Sequence, residues 1–191
     1  MVTGPIRDGT GPQALVDLLA AEWQVSRPER TDLPPAVIDP DTGTTVSAPD
    51  YETTRGVIIT EDRQTLDRNK AIHDLVHAYH PEATPPQYED RGFNEVGTTE
   101  TVQLDIECAD RNIDGVRTSA RERMVGDRRD PANQEYTGLW GEVTYILEGG
   151  RRRYEEWDVV SQDPVAIVLE NSNARVSLNV ELERIARNTR V

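Results

Sequence analysis

The chain has 191 residues, of which 36% are hydrophobic, which is enough for one domain with a buried core. Its 35 acidic and 21 basic residues give a formal net charge of −14, and no basic stripe of the kind that binds nucleic acid is present. The sequence offers no run of about 20 apolar residues that could span a membrane, no second cysteine for a disulfide and no secretory-signal pattern, so we expect a soluble protein made in a cytoplasm.

The first predicted element is a helix over residues 11–25, because apolar residues recur there at i, i+3, i+4 and i+8. They are Leu15, Leu18, Leu19 and Trp23. Residues 31–54 are rich in Pro, Asp, Thr and Gly without hydrophobic periodicity, and they are predicted as a long exposed loop. Residues 56–60 predict a short strand that is apolar enough to be buried on both faces.

A second helix is predicted over residues 66–79, where apolar side chains again have helical spacing. The set is Ile72, Leu75, Val76 and Tyr79. Pro81, Pro85 and Pro86 end this helix and open a loop that continues to about residue 99. Residues 101–109 follow as the clearest strand, since apolar and polar side chains alternate along its whole length.

Residues 116–125 predict a helix, with Gly126 placed as its C-terminal cap. Residues 138–156 have a helical period, but Gly149 and Gly150 weaken it, so a strand that ends at the glycine pair is the competing interpretation. Two short strands are predicted at residues 158–161 and 165–169, on either side of Pro164. The last predicted strand alternates Val176, Leu178, Val180 and Leu182 with polar residues.

This order of elements contains few crossovers long enough for a doubly wound parallel sheet. The fold class predicted is therefore α+β, with a small mixed or antiparallel sheet and helices packed on one face. We expect residues 1–191 to form a single domain.

The charge composition indicates adaptation to salt. Lys70 is the only lysine, so the other 20 of the 21 basic residues are arginines. Repulsion within so acidic a domain is screened at molar salt, where the Debye length falls to about 3 Å. Two alternatives are an ordinary acidic protein from a GC-rich genome, and a DNA mimic, which the interspersed arginines disfavour.

All three histidines, His73, His77 and His80, lie in one short segment. On the predicted helix they would stack along one side and could converge on a metal, and with Asp74 they resemble the H-E-x-x-H zinc helix. Aspartate is one carbon shorter than the glutamate base of that motif, and Pro81 frays the helix at the third histidine. We therefore assign no metal ligands and expect a polar flank beside the apolar stripe.

The sequence contains none of the common catalytic motifs considered next. Cys108, on the apolar face of its strand, is expected to be a buried structural thiol. The glycines do not form a phosphate loop, and no G-x-S-x-G nucleophile elbow is present. The basic run at residues 151–153 is expected to form ion pairs. We expect no enzyme activity, no catalytic residues and no cofactor.

The order of the helix at 11–25, the strands at 56–60 and 101–109, the helix at 116–125 and the closing strand at 175–183 resembles the tail-terminator (tail-completion) proteins of long-tailed viruses. The acidic composition favours the haloarchaeal-virus type. Relative to that family, residues 61–99 resemble an insertion, so the histidine region is expected to be peripheral. The helix at 138–156 is longer than expected.

The resemblance implies a structural virion protein at the head–tail junction. Its copies would form a ring, expected to be hexameric, that caps the tail tube and contacts the tail-tube protein and a neck or head-completion protein while DNA passes through without specific binding. The alternatives are a neck or head-completion protein of the same virus type, a metal-binding protein that uses His73, His77 and His80, and a host interaction or regulatory domain.

Overall fold

The computed structural model describes residues 10–23, 36–38, 56–61, 74–81, 86–92, 95–113, 115–126, 138–150 and 157–187. These residues form an α+β fold, which confirms the predicted class. The helices are α1 (Gly11–Glu22), α2 (Ala120–Val125) and α3 (Leu139–Gly150). The strands are β1 (Ala36–Ile38), β2 (Val57–Thr60), β3 (Asp74–Tyr79), β4 (Gln87–Gly92), β5 (Glu95–Ala109), β6 (Arg111–Ile113), β7 (Val116–Thr118), β8 (Asp158–Leu169) and β9 (Asn173–Arg187).

Seven of these strands form one mixed sheet: six lie in the order β1-β2-β3-β5-β9-β8, and the seventh, β4, pairs with β5. The first three strands are parallel, and β3, β5, β9 and β8 follow with antiparallel pairing. β4 pairs with the N-terminal part of β5, on the side where β3 pairs with its C-terminal part. β6 and β7 form a separate hairpin.

The helices share one hydrophobic core with one face of the sheet. Alternate residues of β5 and β9 supply its centre, and α1, α2 and α3 supply its other side. The buried sheet residues include Val102, Leu104, Ile106, Cys108, Val176, Leu178, Val180 and Leu182. The alternation predicted for β5 and β9 is therefore confirmed, because every second side chain of each strand belongs to the core that the helices share.

Helix α1 confirms the predicted first helix, and β2 is buried at all four positions as expected. The helical interpretation of residues 138–156 is confirmed for α3, and residues 151–156 lie outside the described part. Gly126 has a φ of 78° and its N–H donates to the carbonyl of Glu122, so it ends α2 as predicted.

The helix predicted over residues 66–79 is wrong for its described part, which is strand β3. β3 lies between β2 and β5, so it is buried on both faces and its apolar residues form a continuous run. A short run of this kind does not reveal by periodicity whether it is a helix or a strand. The same position shows that the described part of the histidine region is not peripheral, since residues 74–79 form an interior strand of the sheet.

Several other boundaries differ from the prediction. Residues 116–118 are strand β7, and α2 begins only after Ser119, whose side chain and that of Glu122 form a capping box. The two predicted loops contain strands: β1 lies within residues 31–54, and β4 lies within residues 81–99. None of the described helices is long and apolar enough to cross a membrane.

Candidate functional site

Strand β8 forms an edge of the sheet. Among the described strands it pairs only with β9, and its other side is open. Its register with β9 shifts at Val160 and at Val165, on either side of Pro164. Proline lacks a backbone N–H and is tolerated at edges and bulges, so β8 continues through Pro164, which was predicted to separate two strands. The two short strands predicted there are one strand of 12 residues.

The C-terminal part of β8 exposes apolar side chains. Val165, Ile167 and Val168 are 52%, 48% and 44% exposed. We call residues 165–169 the apolar edge; it contains no charged residue, in a chain with a net charge of −14. Exposed edges of isolated proteins are usually protected by charges or covered, because they pair readily with other strands. The apolar edge therefore has the character of a contact surface.

The backbone of the apolar edge also has open hydrogen-bonding positions. The β8–β9 hairpin closes where the N–H of Glu170 donates to the carbonyl of Asn173, 3.0 Å away. Hydrogen-bonded and non-hydrogen-bonded pairs alternate along an antiparallel ladder. Val168 therefore bonds toward β9, whereas Ile167 and Leu169 direct their N–H and carbonyl groups away from it. A neighbouring strand could use these groups.

A polar cluster lies beside the apolar edge on the face of the sheet opposite the helices. Val168 is directly across from Arg175, whose Nη2 donates to Oδ2 of Asp105 at 2.5 Å. The hydroxyl of Tyr79 donates to the same oxygen at 2.9 Å. Burial acts to raise the pKa of Asp105, but hydrogen bonds from its neighbours and the charge of Arg175 hold this pKa below its ordinary value. The hydrogen bond to Asp105 thus holds the guanidinium group of Arg175 beside the apolar side chain of Val168.

A second exposed apolar feature lies on β4. Tyr88 is 74% exposed, the largest fraction for any large hydrophobic residue in the described part of the chain. Arg91, on the same strand, forms ion pairs with Glu183 of β9 and with Glu89, the latter at 3.3 Å. The pair with Glu183 and the ladder with β5 hold β4 against the sheet, while the side chain of Tyr88 is exposed to solvent.

The histidines do not converge. His77 lies within β3, and His80 follows the end of that strand. His77 stacks on Tyr79 with ring centroids 4.6 Å apart, whereas Nε2 of His80 lies 2.9 Å from Oε2 of Glu100. The expected stacking of imidazoles along one side of a helix is thus wrong for these two, and His73 lies outside the described residues.

Cys108 is fully buried, and its Sγ donates to the carbonyl of Ala120 at 3.3 Å. Burial, with a smaller contribution from the negative charge of Asp74, raises the pKa of this thiol to about 12. The reactive thiolate therefore does not form at neutral pH, which agrees with the expectation of a structural cysteine. The basic run at residues 151–153 lies outside the described part.

An ion cluster at the start of β3 was not predicted from the sequence. Asp74 has no solvent-exposed surface and pairs with Arg123 of α2 and with Arg111 of β6, whose Nη2 lies 3.2 Å from its Oδ1. Both arginine side chains are almost completely buried. The cluster fixes α2 and the β6–β7 hairpin to the sheet, and nothing in the local sequence signals that these three side chains meet.

Among the described strands β1, β4 and β8 each have one unpaired side, and of these β4 and β8 carry exposed apolar side chains, which gives them the clearest capacity for binding. Comparison with protein-family models finds no family that matches this chain, and comparison with curated proteins finds no relative. The resemblance to tail terminators therefore depends on the order of the elements alone.

Proposed function

We propose that this chain is a structural virion protein, a tail terminator whose copies form a ring, expected to be hexameric, at the junction of head and tail. The observation that carries the proposal is the apolar edge of β8, where an uncharged part of a highly charged protein is exposed on an open strand. An exposed, uncharged strand edge pairs readily with another chain, so it supports a role in assembly.

A second copy of the chain is the occupant that we favour for the apolar edge. Two molecules with a net charge of −14 repel each other, so they approach most readily where carboxylates are absent. Residues 165–169 meet this condition, and burying their valine and isoleucine side chains contributes about 25 cal/mol for each Å² of apolar surface removed from water. Molar salt screens the remaining repulsion.

In this role the protein would contact the tail-tube protein on one side and a neck or head-completion protein on the other. The acidic surface suits a conduit for DNA, because it repels phosphates and disfavours specific binding. No bond-making chemistry is required of any residue.

The test compares Val168→Asp with Val116→Asp in molar KCl. Both positions are exposed, and both variants gain one negative charge, but Val116 lies on the β6–β7 hairpin, which forms a separate sheet and does not pair with β8. Arg175, directly across from residue 168, can pair with the new aspartate, so we expect both variants to fold.

Mass photometry and negative-stain images should show rings for the unmodified protein and for Val116→Asp, formed either alone or with purified tail-tube protein. Val168→Asp should remain monomeric in both conditions. A folded, unmodified protein that stays monomeric even with the tube protein would contradict the proposal.

A further inference from the structure

A row of side chains crosses the sheet where β4, β5 and β9 lie side by side. Thr98 of β5 is directly across from Tyr88 of β4 on one side and from Arg184 of β9 on the other. Directly paired residues of antiparallel strands project from the same face of a sheet, so these three side chains share a face. The backbones at Tyr88 and Arg184 are two strand spacings apart, which is about 10 Å.

The guanidinium group of Arg184 is held over the indole ring of Trp157. Trp157 is 5% exposed and belongs to the hydrophobic core, and Cζ of Arg184 lies 5.1 Å from its ring centroid. A guanidinium over an aromatic face is attracted by a cation–π interaction. The side chain of Arg184 is itself partly exposed. The core therefore positions this positive charge at a place that another molecule can reach.

Arg184 has no carboxylate partner in the described part of the chain. The other partly buried arginines that the structure describes both pair with Asp74. Glu100 projects from the same face two residues along β5 from Thr98, but its Oε2 accepts from the N–H of Gly11 at 2.8 Å instead. A partly buried cation without a counter-ion is costly, and this one occurs in a chain with 35 acidic residues. Its charge is therefore available to a carboxylate from outside.

Two buried N–H groups at the same place also lack acceptors. Nε–H of Arg184 and Nε1–H of Trp157 are shielded from water, and neither has a hydrogen-bond partner among the described residues. Buried polar groups in folded proteins are nearly always hydrogen-bonded, because an unmade hydrogen bond costs free energy. A carboxylate can accept from the Nε–H and one Nη group of a guanidinium at the same time. The orphaned donors and the unpaired charge thus point to the same class of ligand.

We infer that Arg184, supported by Trp157, binds a carboxylate of another protein chain, and that Tyr88 contacts an apolar side chain close to that carboxylate. Arginine, tryptophan and tyrosine are the residue types that contribute most to binding at protein interfaces. The net charge of −14 repels a polyanion such as nucleic acid, whereas a segment with one carboxylate meets the local positive charge of Arg184. The inference goes beyond the proposed function, because it requires neither a ring nor the apolar edge of β8.

The experiment uses the tripeptide acetyl-Leu-Gly-Glu amide as the probe. Its leucine and glutamate lie on one side of an extended chain, about 7 Å apart, so they can approach Tyr88 and Arg184 together. Acetyl-Leu-Gly-Gln amide is the matched control without the charge, and potassium phosphate at equal ionic strength tests whether any oxyanion suffices. Val168→Asp in molar KCl is the background, because a monomer gives sharp spectra and the result then does not depend on assembly.

Proton–nitrogen NMR spectra follow the two orphaned donors directly. The signals of Nε–H of Arg184 and Nε1–H of Trp157 are assigned by their loss in Arg184→Lys and Trp157→Phe. We expect the glutamate peptide to shift both signals in a saturable manner, and the glutamine peptide and phosphate to leave them unchanged at the same concentrations. If the Arg184 signal does not respond to the glutamate peptide, or responds equally to the glutamine peptide or to phosphate, the inference is overturned.

Arg184→Met and Arg121→Met separate binding from stability. Methionine keeps an apolar chain on the indole ring but removes the charge, so the thermal unfolding midpoint of Arg184→Met should change by no more than a few degrees. Its affinity for the glutamate peptide, read from the Trp157 signal, should fall by roughly tenfold or more. Arg121 is exposed on α2, and Arg121→Met should bind normally. Full affinity in Arg184→Met, or equal losses in the two variants, would contradict the assignment of Arg184.

Discussion

The two neighbours of β9 differ sharply although all three strands are rich in valine, isoleucine and leucine. β5 pairs with β9 in an unbroken register from Glu95↔Arg187 to Ala109↔Asn173. β8, on the other side, shifts register twice and exposes Ile167, whereas Val176 directly across from it is fully buried. An apolar residue thus stabilises the fold when it lies on β9, as Val176 does, and is available for contact when it lies on β8, as Ile167 is. Position within the sheet, and not residue type, makes the difference.

Asp74→Ala should have the largest effect on the interior of the sheet. It leaves Arg111 and Arg123 buried without their carboxylate, and breaking a buried pair in this way costs about 3–5 kcal/mol of unfolding free energy. Urea denaturation in molar KCl measures the loss. Asp110→Ala is the control, because it breaks a pair with the mostly exposed Arg117 and should cost at most about 1 kcal/mol. Equal losses would show that the Asp74 cluster is not a buried anchor.

Leu178→Ala and Val168→Ala test the comparison directly. Leu178 lies in the core, so its truncation should cost about 2–5 kcal/mol in the same denaturation experiment. Val168 is half exposed, and its truncation should change the unfolding free energy of the monomer by less than about 0.5 kcal/mol. If both substitutions destabilise the monomer equally, β8 is not an open edge.

The smallest predicted effect is a pair of opposite pH dependences. The pKa of Asp105 lies below its ordinary value of 3.8, so its ionised form stabilises the folded state above that value, and this stabilisation is lost as the pH falls through the lowered pKa. Asp105→Asn should therefore be less stable than the unmodified protein near neutral pH, and the difference should shrink in acid.

Asp17 on α1 provides the matched control. Burial raises the pKa of its carboxyl group, with a hydrogen bond from Gln13 acting in the opposite direction. Its ionised form is therefore penalised in the folded state above the raised pKa, and Asp17→Asn should be more stable than the unmodified protein near neutral pH. Denaturation curves between pH 7 and acid that shift in the same direction for both variants would contradict the assignment.

Much of the fold was predictable where one face of an element is buried and the other is not. In helix α1 and strands β5 and β9, apolar residues recur at regular intervals, because one face of each element packs on the core and the other does not. Strand β3 was mistaken for a helix because burial on both faces removes that alternation. The apolar edge was predicted as a strand. Its exposure to solvent was not predicted, because exposure depends on whether another strand pairs with β8.

Local chemistry alone determined several features of this protein: its acidic surface, the glycine that ends α2, the α+β class and the two long alternating strands. Each of these features depends either on composition or on residues that are close together in the sequence. Only the tertiary structure decided that Asp74 meets two arginines, that His77 and His80 contact different partners, and that β8 is an outer strand of the sheet. The physical reason is that pairing order and burial are properties of distant segments brought together, and the spacing of residues along one segment carries no record of which partner it meets.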